Sequence, residues 1–98
     1  MRILVVEDEP KAGDYLQTGL TESGYVVDLA RNGVDGLHLA RDFAYDAIVL
    51  DVMMPQMDGW SVLNALKADS KTAGIPVVMV TFVNEQGRVS RSAPPTTC

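Results

Sequence analysis

The chain has 98 residues, 47% of them apolar and 21% charged, with a formal net charge of −5. That suits one globular domain with a modest core, and the acidic balance disfavours nucleic acid or an anionic membrane as a partner of this chain alone. No apolar run is long enough to span a bilayer, no leader-like segment precedes the first one, and the single cysteine, Cys98, excludes an internal disulfide. A cytoplasmic protein is expected.

Ile3-Leu4-Val5-Val6 is apolar without alternation, as in a strand buried on both faces of a parallel sheet. Glu7, Asp8 and Glu9 follow, and Pro10 suits the first turn of a helix. Ala12, Tyr15, Leu16, Gln17, Gly19 and Leu20 form a stripe at helical spacing that Ser23-Gly24 ends. Tyr25 to Ala30 reads as a second strand. Asn32-Gly33 is a turn or cap before a helix carrying Val34, Leu37, His38 and Ala40. Ala47 to Leu50 is a third strand, ending at Asp51. A breaker-rich loop, Val52 to Gly59, leads to a helix carrying Trp60, Leu63, Ala65 and Leu66. Ile75-Pro76 precedes a fourth strand, Val77 to Val83. From Asn84 the chain loses its apolar pattern and is expected to be an irregular tail.

The order β-α-β-α-β-α-β predicts a doubly wound α/β fold, a parallel sheet with helices on both faces. In such a sheet all strand carboxyl ends share one edge, and ligands bind there where the strand order reverses. Strand one brings Glu7 and Asp8 to that edge, strand three Asp51 and strand four Thr81. Close carboxylates repel by about 4 kcal/mol per pair at about 4 Å and an effective dielectric of about 20. A metal, a proton or solvent must offset that. An all-oxygen, half-open site suits Mg²⁺, and a carboxylate beside Mg²⁺ can accept a phosphoryl group. His38 is the only histidine, so no Zn²⁺ cluster is in view.

Taken singly, each residue has a plainer role. Glu9 is a favourable charge at a helix N-terminus. Asp51 alone is a loop cap and Thr81 an ordinary strand residue. Trp60 and the methionines are expected in core or loop packing, and His38 on a helix surface. The functional case rests on the combination at successive strand ends.

That combination resembles the receiver domain of two-component response regulators. The stretches are "ILVVEDEP" (3–10), "YDAIVLDVMMPQMDGW" (45–60) and "IPVVMVT" (75–81). The wider wording looks most like the OmpR type of transcriptional regulators. The resemblance implies a flavodoxin-like (CheY-like) fold with Asp51 as phosphoacceptor and a histidine kinase as phosphodonor. It implies Mg²⁺ held by Asp8, Asp51 and the Met53 backbone carbonyl, with Glu7 acting through a water. Thr81 is then the switch hydroxyl, and Pro55 and Gly59 shape the loop. Such a domain is an enzyme only in catalysing its own phosphotransfer and slow dephosphorylation.

The sequence also departs from the family. No lysine follows Lys71, whereas the family places one after a fifth strand to pair with the phosphoryl group. Phe82 stands where the family has a small residue. The tail "RSAPPTTC" is compatible with a family segment, Leu-Gly-Ala-x-Asp-Tyr-Leu, read in a shifted frame, so residues from 91 onward are expected to be non-native. On this reading residues 1–83 are an incomplete receiver domain and 84–98 a tail. Strand 77–83 then becomes an uncharged sheet edge, and the chain is expected to dimerise there or to be marginally stable. Two other functions compete. A non-phosphorylated interaction module needs only the fold. A Mg²⁺-dependent phosphohydrolase needs a second acid two residues after the nucleophile, where Met53 stands.

Overall fold

In the computed structural model residues 1–54 and 58–81 are described. Their elements are β1 (Arg2–Val6), α1 (Pro10–Glu22), β2 (Val26–Ala30), α2 (Gly33–Asp42), β3 (Ala47–Asp51), α3 (Gly59–Ala68) and β4 (Val77–Val80). The predicted alternation is therefore present. All pairings are parallel, in the order β2-β1-β3-β4, so the order reverses between β1 and β3.

Local chemistry sets the helix ends. Glu9 caps α1, its carboxylate accepting the Lys11 N–H at 3.1 Å, and Pro10 opens the first turn. Gly24, with φ +99°, turns the chain from α1 toward β2. Asn32 caps α2 by accepting the Asp35 N–H at 2.8 Å. Asp58 caps α3 by accepting the Ser61 N–H at 2.8 Å. After α3, the buried Thr72 hydroxyl donates to the Leu66 carbonyl at 2.5 Å and steers the chain into β4.

Alternation along the strands sorts the two faces. Leu4, Val6, Ile48 and Leu50 face α2 and α3, where Leu37, Ala40, Val62 and Leu66 complete the main core. Each such buried Leu, Ile or Val contributes about 1.5–3 kcal/mol relative to exposure. Close packing needs Gly36, because a Cβ there would lie 2.7 Å from a Val6 methyl. On the opposite face α1 lies over β1 and β2, seated at Gly13.

Several packing expectations are corrected. Gly13 is the only buried residue of α1, whereas Tyr15 is 73% exposed and Gly19 is exposed too. The stripe read from the sequence is half-buried Ala12, Leu16 and Leu20 flanking a glycine seat. Trp60 is exposed, because α3 turns Val62 and Leu66 to the core instead. Met53 and Val34 are exposed as well, while Met54 is buried. β3 is apolar over Ala47–Leu50, yet one of its faces is partly open. Val49 is half-buried and the neighbouring Val78 exposed, since α1 covers the β1–β2 half of that face. β4 ends at Val80, so Thr81 follows the strand rather than closing it. Pro55, Phe82, Val83 and the tail from Asn84 lie outside the described residues.

Candidate metal centre

β1 ends at Val6, whose register partner on β3 is Leu50. The next residues on the two strands, Glu7 and Asp51, therefore emerge side by side at the sheet edge. Asp8 is one residue on. One carboxylate oxygen from each of Glu7, Asp8 and Asp51 lies within 4.8 Å of the others. The three acids named from sequence are brought together as predicted.

Backbone donors hold two of them. Glu7 is anchored by its own N–H donating to the Ala30 carbonyl at 2.9 Å. Its Oε2 accepts the Glu9 N–H at 2.9 Å. Asp51 Oδ1 accepts the Met53 N–H at 3.0 Å. These two N–H groups were not foreseen; an acid followed two residues later by a free N–H is the turn signal that marks them. Glu7 Oε1 is buried and has no hydrogen-bond partner among the described residues.

Gly59 packs back against the residues that end β3. Its N–H donates to the Val52 carbonyl at 3.0 Å. A Cβ on it would run into the Asp51 carbonyl oxygen and lie 2.8 Å from the Val52 Cα. Thr81 reaches the same edge. The Val52 N–H donates to the Val80 carbonyl at 2.9 Å, and Thr81 follows directly, exposed. Met53 is exposed beside the acids.

Burial dominates the electrostatics. Glu7 is almost wholly enclosed, which pushes its carboxyl up to about 8; the Glu9 N–H opposes this, and Asp51 and Asp8 add to it. Asp51 is also raised by burial, with the Met53 N–H pulling the other way. Without a cation, burial and the neighbouring acids favour the neutral form of Glu7. An all-carboxylate donor set with a buried, unpartnered oxygen fits a hard divalent cation such as Mg²⁺.

A parallel α/β sheet carrying an acidic oxygen site where its strand order reverses is the class this fold and site define. Within it, residues 3–93 match the response regulator receiver domain, and the chain belongs to that family. It is similar to the transcriptional regulatory protein CusR of Escherichia coli K12, at 49% identity over 81 residues, 83% of this chain and 35% of that protein. It is also similar to the transcriptional activator protein IrlR of Burkholderia pseudomallei 1026b, at 51% identity over 87 residues, 89% of this chain and 37% of that protein. The chain thus spans about a third of the length of these curated relatives. Among solved structures it resembles the receiver domain of sensor histidine kinase PA1611 from Pseudomonas aeruginosa PAO1, which holds a magnesium ion in its active site cleft. There the TM-score is 0.79 at 31% identity, covering 88% of this chain and 70% of that chain.

The flavodoxin-like fold and the kinship with OmpR-type transcription regulators expected from sequence therefore hold. Family membership favours the two-component receiver over the phosphohydrolase. Among the described residues no helix is long and apolar enough to cross a membrane.

Proposed function

We propose that Asp51 accepts a phosphoryl group from a histidine kinase, with Mg²⁺ bound at Glu7, Asp8 and Asp51. One observation carries the reading: three carboxylates meet within 4.8 Å, and one buried oxygen of Glu7 lacks any donor. Asp8, Asp51 and the Met53 backbone carbonyl would hold the ion, and Glu7 would act through a bound water. Bound there, Mg²⁺ supplies neutralisation of charge on the phosphoryl oxygens.

The chain's own groups do the rest. An Asp51 carboxylate oxygen bonds to phosphorus as the bond from phosphorus to the donor's histidine nitrogen breaks. The nitrogen keeps that electron pair. The Thr81 hydroxyl donates a hydrogen bond to a phosphoryl oxygen. Gly59 holds the backbone of Asp51 and Val52 beside the site. The chain is consumed and regenerated by this chemistry, so it acts as a signal carrier rather than a turnover enzyme. Residues 1–83 form the acting unit. Kinship with transcriptional regulators supports a transcriptional output and a cytoplasmic place.

The test uses beryllofluoride, a phosphoryl mimic. With Mg²⁺ it should shift the Asp51 and Met53 amide resonances, and Asp51→Asn should abolish the shift. An unchanged spectrum with Mg²⁺ bound would instead favour a non-phosphorylated interaction module.

A further inference from the structure

A surface groove lies along the outer edge of β2, away from the acidic cluster. There a groove of about 540 Å³ follows Val27, Asp28 and Leu29. Gln17 of α1 borders it on one side, and Leu39 and Phe43, at the end of α2, on the other. That volume is in the range of sites that hold a ligand.

The backbone along this groove is open. The Val26 N–H donates to the Met1 carbonyl at 3.0 Å, and the Ala30 carbonyl accepts from Glu7 at 2.9 Å. Val26, Asp28 and Ala30 therefore spend their backbone groups on β1. Strand alternation turns the N–H and C=O of Val27 and Leu29 outward. Among the described residues those four groups have no hydrogen-bond partner. Such an edge is a template for another strand.

Two cations line the groove, and they differ in availability. Arg2 is committed: its Nε and Nη2 donate to Asp28 at 3.1 and 2.9 Å, and its guanidinium lies 5.2 and 5.5 Å from the Phe43 and Tyr45 ring centres. Arg31 is not. It makes one contact, Nη2 to Asp14 at 3.1 Å, between side chains 47% and 66% exposed. Pairs of that kind hold by little, and most of the five guanidinium donors remain. Gly13 keeps room for it, since a Cβ there would lie 3.0 Å from Arg31 Nη1 and 3.3 Å from the Leu29 methyls.

We propose that the β2 edge binds an extended peptide segment that hydrogen-bonds to the backbone of Val27 and Leu29 and places a carboxylate on Arg31. Phe43 and Leu39 supply apolar contact for an alternate side chain. The occupant is a partner's acidic strand, chosen by Arg31, whose guanidinium keeps most of its donors beside the exposed Asp14 pair, while the other two charges of the groove, Arg2 and Asp28, pair with each other.

The probes are acetylated, amidated hexapeptides of alternating valine and threonine, with one aspartate at each position in turn. They are titrated to millimolar concentration into the full ¹⁵N-labelled chain. At least one should shift the Val27 and Leu29 amides and slow their hydrogen exchange. Replacing its aspartate by asparagine should weaken binding about two- to fivefold, as should Arg31→Gln. The peptide swap needs no protein variant, so a misfolded variant would not rescue the idea. The proposal fails if no peptide binds, if the shifts fall elsewhere, or if both swaps leave affinity unchanged. It also fails if these amides are protected without peptide in a concentration-dependent way, which would assign the edge to a second copy.

Discussion

Gly59 lies directly against the Asp51 carbonyl, with no space between them for a Cβ. The first residue of α3 thus sets the backbone from which the Asp51 carboxylate projects. Gly59→Ala forces backbone apart from backbone, which no rotamer change relieves. It should cost about 1–3 kcal/mol in urea unfolding. It should also weaken Mg²⁺ binding, read by the fluorescence of the adjacent and only tryptophan, Trp60. Unchanged stability and affinity would mean that the contact is easily relaxed.

Glu7 makes the metal-free protein sensitive to alkali. Its folded pKa is raised from 4.5 to about 8, so its contribution to stability is complete below 4.5 and lost as pH climbs through about 8. Asp51, also raised, pushes in the same direction. In EDTA the melting temperature should therefore fall between pH 5 and about 8. Glu7→Gln should flatten that slope, and saturating Mg²⁺ should reverse it, because the ion binds only the charged acids. A melting temperature independent of pH in EDTA would contradict the burial argument.

In the middle of β2, Asp28 joins two chain segments. It accepts the Tyr45 hydroxyl at 2.6 Å and two Arg2 donors. The Tyr45 hydroxyl, with help from Arg2, holds its carboxyl below the usual range, so this contribution is lost as pH falls through that lowered value. Tyr45→Phe should cost about 1 kcal/mol by urea titration, and Asp28→Asn more, since it weakens both contacts. A double-mutant cycle should show coupling between the two changes; simple additivity would argue that the hydroxyl bond is weak.

β4 is the last strand of the sheet among the described residues, and Val77 to Val80 carry no charge. Val78 is 54% exposed on the face that α1 leaves open. Self-pairing along this edge is expected to give dimers that grow with concentration, seen by light scattering after size exclusion. Val78→Lys should shift the population toward monomer, as lysine guards natural edges. A wild-type chain that stays monomeric at all concentrations would rule this out.

How much of this was visible in the sequence follows from which signals are local. Glu7, Asp8 and Asp51 were readable because each ends an apolar run, and a parallel sheet gathers such ends on one edge. Glu9 and Pro10 announced the start of α1 by capping chemistry alone. Trp60 and Tyr15 misled because a residue at the border of a helical stripe can turn outward. Gly13 and Gly36 seat two helices, yet a glycine leaves no mark in an apolar pattern. The Arg2, Asp28 and Tyr45 cluster depends on the register of β1 and β2, which no local stretch encodes.

The central claim is tested most directly by phosphorylating the full chain with a small phosphodonor and weighing it intact. A mass gain of one phosphoryl group is expected, dependent on Mg²⁺, absent in Asp51→Asn and mapped by fragmentation to Asp51. A gain without Mg²⁺, or one that persists in Asp51→Asn, would contradict it.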